Sequence, residues 1–332
     1  MTPDELVRDV MSPVGYDHLT SQPAGAPVVV DVRDAPAGSA AAGFAEALHL
    51  VPRLFVAVSG DEQVGPGTVA DALDVVVTDE AALAEVLEAA AANPLAATAL
   101  AVLLRGAADR SVAAGIIAES MAYSALQAGP EHVAWLAGRE RRIIPAEVEP
   151  AVRVEREGSR LLVTLSRSHR RNAFDARTRE ELLAALTVAA VDPSIVEVVL
   201  AGDGPTFCSG GDLDEFGTCA DPVSAHLLRV GRSCGALIAS LGNRVVARVH
   251  GTCVGAGVEL PAFAGRVVAD PATTFRLPEV AMGLVPGAGG TVSIPRRVGR
   301  HRAAWLALTG RAIDAPTALS WGLVDELSNQ RL

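Results

Sequence analysis

The chain has 332 residues, half of them apolar and a fifth charged, which is enough for a large core in one or two domains and leaves no room for bulk disorder. A formal net charge of −11 argues against a nucleic-acid partner, which would favour a basic face. All 28 basic residues are arginines; with no lysine, Schiff-base chemistry, a P-loop lysine and a pyridoxal phosphate anchor are excluded.

In chain order, residues 28–33, 54–59 and 73–78 read as short strands, the second followed by the turn Gly60-Asp61. Asp79-Glu80 places acidic groups at the positive end of an Ala-rich helix over 81–92, and Pro94 opens another helix at a first-turn position. A helix over 111–127 carries Ile116, Ile117, Met121, Tyr123 and Leu126 as an apolar stripe, and Gly129-Pro130 separates it from a last helical piece over 131–139. The longest apolar run, 89–104, is cut by Asn93-Pro94 and is too short to span a bilayer, and the N-terminus lacks a basic start followed by an apolar run. No membrane association and a cytoplasmic location are expected.

The charged, Pro-bounded segment 141–150 reads as a linker between a unit over 1–140 and a second over 151–332. The second unit opens with strands over 152–155 and 160–166 joined at Glu157-Gly158, a hairpin by its glycine turn. Next come a helix over 175–190, a strand over 196–201, helix over 222–241 and a strand over 245–250. After these follow a helix opening at Gly257, a strand over 266–269, an extended segment over 273–277 and a helix through Leu308. This alternation predicts an α/β fold with loops gathered at strand ends, where ligands sit.

Two glycine-rich loops stand out: Phe207-Cys208-Ser209-Gly210-Gly211-Asp212, and Gly251 through Gly255-Ala256-Gly257-Val258-Glu259. Small residues let a backbone approach a ligand and aim its N–H groups at it. Two such groups can hold a developing oxyanion, while Glu259 and Glu279 can move protons to and from a carbon or a water. Cys208, Cys219, Cys234 and Cys253 form no CxxC pair and have no histidine at zinc-finger spacing, so no metal or redox site is expected. His250 has no Asp or Ser spaced for a triad and reads as structural, and Asp212 and Asp214 read as caps of a following helix. Trp305 and Trp321 read as core aromatics.

On these loops the sequence resembles the crotonase (enoyl-CoA hydratase/isomerase) superfamily. The matching residues are Arg171-Asn172-Ala173-Phe174, Phe207 through Leu213, His250 through Leu260, Phe275 through Glu279, Gly283 through Thr291, and Leu308-Thr309-Gly310 with Gly322-Leu323-Val324-Asp325. They run in family order across 152–326. The resemblance implies a crotonase-like spiral of ββα turns with a helical layer, preceded by a smaller α/β unit. It also implies an acyl-CoA thioester ligand, with coenzyme A as part of the substrate and no separate cofactor, and a homo-oligomer, a trimer or a pair of trimers.

Carried over residue by residue, the N–H groups of Gly211 and Ala256 are similar to the family's oxyanion hole, and Glu259 and Glu279 to the acid/base pair of its hydratases. Ser209, Gly210, Asp212, Leu213, Gly255, Pro278 and Gly287 are expected around the substrate. Arg167, Arg170, Arg171 and Ala173 lie in a stretch that resembles the border of the adenosine end of CoA, where arginines can hold phosphates. The implied activity is hydration of a 2,3-unsaturated acyl-CoA, of the kind met in fatty acid metabolism. A double-bond isomerase and a non-catalytic acyl-CoA-binding or assembly subunit remain as alternatives. Residues 1–140 resemble a degenerate crotonase unit: 72–79, 93–96 and 119–131 are similar to the family's C-terminal helical part, and these helices are expected to pack on the pocket of the second unit.

Overall fold

Hydroxyl and carboxylate caps, often followed by proline, start most helices of this chain. In the computed structural model, which describes residues 1–22, 24–33, 42–62, 64–140, 142, 148–219 and 221–329, Thr2 and Glu5 form a reciprocal capping box at the first helix. The elements of the first unit are α1 (Pro3–Met11), α2 (Pro13–Thr20), β1 (Val28–Asp31), α3 (Phe44–His49), β2 (Phe55–Val58), α4 (Val69–Ala72) and β3 (Val75–Val77). Four helices complete it: α5 (Glu80–Ala92), α6 (Pro94–Arg105), α7 (Val112–Gln127) and α8 (Pro130–Ala137). Strands β1, β2 and β3 form a parallel sheet in that order, and the central strand Phe55–Val58 is buried on both faces, as a covered parallel strand should be.

The second unit begins with β4 (Val152–Glu157) and β5 (Arg160–Leu165), the antiparallel hairpin the Gly158 turn implied. Then come α9 (Ala176–Val191), β6 (Glu197–Gly202), α10 (Pro222–Gly231), α11 (Cys234–Leu241), β7 (Val245–Val249), β8 (Thr252–Val254), α12 (Ala256–Glu259), β9 (Arg266–Ala269) and β10 (Thr274–Arg276). The chain closes with α13 (Gly290–Val298), α14 (Arg300–Thr309), β11 (Ile313–Asp314), α15 (Ala315–Trp321) and β12 (Glu326–Leu327).

Six strands make one sheet in the order β12-β9-β7-β6-β5-β4, and three make a second in the order β11-β10-β8. Consecutive passes through the chain give one strand to each sheet: β7 then β8, β9 then β10, each pair followed by helical structure. This is the crotonase-like ββα spiral, and the loops carrying Gly211, Ala256 and Glu279 lie where the strands leave the sheets.

Several expectations change. The helix over 222–241 is two helices, broken at Arg232-Ser233, where the Ser233 hydroxyl caps the second. Residues 213–217 form turns rather than the helix that Asp212 and Asp214 were to cap, and Asp212 instead pairs with Arg170 at 2.6 Å. Helices α1, α2 and α3 were not expected, although the Thr2–Glu5 capping box and Ser12-Pro13 are start signals for the first two. In α7 the apolar stripe holds only in part: Ile116 and Leu126 are buried, but Ile117 and Met121 are about half exposed, whereas Glu119, Ser120 and Ser124 are buried.

Of the expected linker, residues 141 and 143–147 lie outside the described residues. The apolar core is not divided there, since one cluster joins Val75, Leu100 and Ile116 to Leu277, Leu284 and Val292. A smaller cluster around Leu6, Phe44 and Phe55 covers the other face of the N-terminal sheet. Polar ties cross between the units as well: the Leu73 carbonyl accepts from Arg300 at 2.8 Å and lies 3.0 Å from His301 Nε2.

Candidate active site

The first glycine loop is shaped by Phe174, whose N–H donates to the Gly210 carbonyl at 2.8 Å and whose own carbonyl accepts from Asp212 at 3.1 Å. This leaves the intervening Gly211 N–H pointing elsewhere. In the second loop Gly255 holds φ +50°, donates to the Arg276 carbonyl at 3.0 Å, and starts α12, a helix of only four residues. The Ala256 N–H stands at the head of that turn, where no intrahelical acceptor exists. Among the described residues neither the Gly211 nor the Ala256 N–H donates to a protein acceptor. Both residues line a cavity of about 370 Å³, together with Glu259, Glu279, Glu119 and Tyr123.

Glu259 is 2% exposed, and its Oε2 accepts from the N–H groups of Ala288 and Gly290 at 2.7 and 2.8 Å. Burial pushes its carboxyl up to about 7, against the pull of those two donors. Glu279 is buried too, and its Oε2 has no hydrogen-bond partner among the described residues. Burial, and then the charge of Glu259, hold the Glu279 carboxyl well above the usual carboxylate range. A side chain at Gly255 would place its Cβ 2.4 Å from Glu279 Oε1, so glycine is required there for space as well as for its backbone angle.

A third acid joins the two. Glu119 of α7 is 2% exposed; its Oε1 accepts from Gly289 at 2.7 Å, and its Oε2 from the Thr291 N–H at 2.8 Å and the Thr291 hydroxyl at 2.7 Å. Burial first, and the Glu259 charge second, push it up to about 8. No role for Glu119 was read from the sequence. The available signal was that it is the single charged residue between Arg110 and Glu131, in a helix otherwise fit for a core.

Of the N-terminal helices expected to pack on the pocket, α7 lines the cavity, whereas no residue of α8 does. Tyr123 packs on the loop at Gly287, where a Cβ would come within 2.5 Å of its ring, and His132 Nδ1 lies 2.9 Å from the Met282 carbonyl oxygen. Of the residues expected around the substrate, Gly287 lines the cavity, as does Phe174, whereas Ser209, Gly210, Asp212, Leu213, Gly255 and Pro278 do not line it.

The arginine stretch is placed differently. Arg167 is buried, its Nη1 2.5 Å from Asp175 Oδ2 and 3.3 Å from the Thr178 hydroxyl, which ties the hairpin to the start of α9 rather than offering a guanidinium to phosphates. Arg170 is held on Asp212, Arg171 is exposed, and none of these, nor Ala173, lines the cavity. His250 is structural, its Nε2 2.8 Å from the Gly204 carbonyl oxygen. Cys208, Cys234 and Cys253 are buried and Cys219 is exposed, all as free thiols, and no cluster of metal-ligating side chains exists among the described residues.

Spiral, free backbone donors and buried acids together define the crotonase class of fold, and comparison with known proteins agrees. The family model for enoyl-CoA hydratase/isomerase matches residues 155–331. A 2,3-dehydroadipyl-CoA hydratase from Escherichia coli (strain K12) is 35% identical over 174 residues, 52% of this chain and 68% of that protein. Among solved structures, an enoyl-CoA hydratase from Thermoplasma volcanium GSS1 superposes with TM-score 0.51 at 32% identity, covering 55% of this chain and 73% of that one. An enoyl-CoA hydratase from Bacillus anthracis gives 0.50 at 29% identity, covering 54% and 70%. The chain belongs to the enoyl-CoA hydratase/isomerase family, a family that acyl-CoA thioester substrates fit. Among the described residues no single helix is long and apolar enough to cross a membrane.

Proposed function

We propose that this protein is an enoyl-CoA hydratase, a lyase adding water across the 2,3-double bond of an acyl-CoA. The observation that carries the reading is that two buried carboxyls and two unengaged backbone N–H groups line one cavity. The thioester oxygen accepts from Gly211 and Ala256, which stabilise the enolate as negative charge moves onto it. Glu259, whose Oε2 is steadied by two N–H donors, is the ionised base that takes a proton from water as its oxygen bonds C3. Glu279, kept protonated by burial, delivers a proton to C2, so that H and OH are added and the double bond is consumed. Carboxyls and amides supply every charge and proton in this scheme, which calls for no metal or redox cofactor.

The same reading takes residues 1–140 as a reduced relative of the catalytic unit whose helices close the pocket, and the protein as a homo-oligomer. Support for the first is the contact of Glu119 and Tyr123 with the loop at 287–291.

The test is loss of enoyl-thioester absorbance with crotonyl-CoA, repeated with Glu259→Gln and Glu279→Gln. Each variant is expected to lose on the order of 10²- to 10⁴-fold in kcat with thioester binding retained. Isomerisation that survives in only one variant would favour the isomerase, and an inactive wild type would favour a non-catalytic acyl-CoA-binding or assembly subunit.

A further inference from the structure

We infer that the cavity accepts acyl chains with an anionic far end, a carboxylate received by the guanidinium of Arg229, so that the substrate class is the mono-CoA thioesters of unsaturated dicarboxylic acids. The inference rests on the hydratase reading of the same cavity and names the substrate that reading leaves open.

Three arginines line the cavity: Arg179, Arg229 and Arg232. Arg179 and Arg232 share the carboxylate of Glu180 and are neutralised by it. Arg229 forms no ion pair among the described residues. Its contacts are neutral: Nε to the Ser120 hydroxyl at 3.3 Å, Nη1 to Gln127 Oε1 at 3.4 Å, Nη2 to the Ser124 hydroxyl, and the face of Tyr123 with its central carbon 4.5 Å from the ring centroid. A guanidinium has five N–H donors, so these three hydrogen bonds leave two. A partly buried cation without an anion is costly, and a bidentate carboxylate is the ligand its fork fits best.

The position suits the far end of an acyl chain. Tyr123 stands between Arg229 and Gly287, and the next residue, Ala288, holds Glu259. Arg229 is therefore one aromatic ring away from the loop whose N–H groups hold Glu259 and Glu119. Four acids also line the cavity (Glu119, Glu215, Glu259 and Glu279), and ionised together they would repel an anion. Burial is the leading cause that raises the carboxyls of Glu119, Glu215 and Glu279, which lets protons neutralise these three and leaves Glu259 as the one anion the Arg229 charge must offset.

The experiment compares thioesters of equal length, 2-hexenoyl-CoA and the mono-CoA thioester of 2-hexenedioic acid, by kcat/KM in the wild type, Arg229→Gln and Arg229→Lys. The wild type is expected to favour the dicarboxylic thioester by at least roughly tenfold, with the ratio collapsing in Arg229→Gln and partly restored in Arg229→Lys. Competition binding of the saturated pair, hexanoyl-CoA and adipyl-CoA, gives the same comparison without turnover and keeps the test valid if the hydratase reading fails. A wild-type ratio near one overturns the inference. So does equal weakening of both thioesters in Arg229→Gln, which would assign this arginine to coenzyme phosphates or to packing α10 on α7.

Discussion

Glu119 and Glu259, from different units of the chain, hold alternate rungs of the same helix start. Glu259 accepts from the N–H groups of Ala288 and Gly290, and Glu119 from those of Gly289 and Thr291. The leading N–H groups of a helix have no intrahelical partner, and here two carboxylates satisfy four successive donors at the entry to α13. The base of the proposed reaction and a residue from the N-terminal unit are thereby fixed on one scaffold.

That arrangement sets a pH dependence. Both carboxyls titrate higher in the folded chain, at about 8 and about 7, than the ordinary 4.5, so the folded state holds more protons between those limits. Their contribution to stability is fully present below about 4.5 and is lost as pH rises through about 7 and about 8. Glu119→Gln is expected to flatten the fall in urea midpoint between pH 5 and pH 8, by at most about 1.4 kcal/mol per pH unit. It should also destabilise by roughly 1–3 kcal/mol near neutrality, because the amide cannot accept at both ends. A slope identical to that of the wild type would refute the shared titration.

Gly255 tests the placement of Glu279. An alanine there would put its Cβ 2.4 Å from Glu279 Oε1 at a φ of +50°, so the carboxyl must move. Gly255→Ala is expected to lower kcat on crotonyl-CoA by on the order of 10²-fold, the usual effect of misplacing a reacting group by about 1 Å. The accompanying strain should cost about 1–3 kcal/mol by denaturant unfolding. Full activity in a folded Gly255→Ala protein would remove Glu279 from the chemistry.

Arg105 and Asp74 anchor the N-terminal sheet. Both are buried, paired through two contacts of 2.8 Å, and Arg105 Nη1 also donates to the Leu48 and Val51 carbonyls at 2.7 Å each. Asp74→Asn leaves the guanidinium uncompensated and should cost about 3–5 kcal/mol. The double change Asp74→Leu with Arg105→Met is expected to cost less than the single one, since no lone charge stays behind. Thermal unfolding of the pair of variants decides it, and a double variant less stable than Asp74→Asn would refute the argument.

What could be read from the primary structure was local or spaced within one motif. Asp175 caps α9 through the Thr178 N–H, Gly158 turns the hairpin, and Gly211, Ala256 and Glu259 share loops whose glycines announce close approach to a ligand. Backbone propensities and loop glycines act over a few residues, so these signals survive without coordinates. What required the folded chain was orientation across long separations. Glu119 enters the cavity, and Ser120 and Ser124 meet Arg229 of α10, because α7 turns these polar residues inward and leaves Ile117 and Met121 outside. Arg167 is withdrawn for the converse reason, a nearby carboxylate that captures it. The rotation of a helix is set by what packs on it, here Gly287, Val292 and the open end of α13, none of which lies near it in the chain.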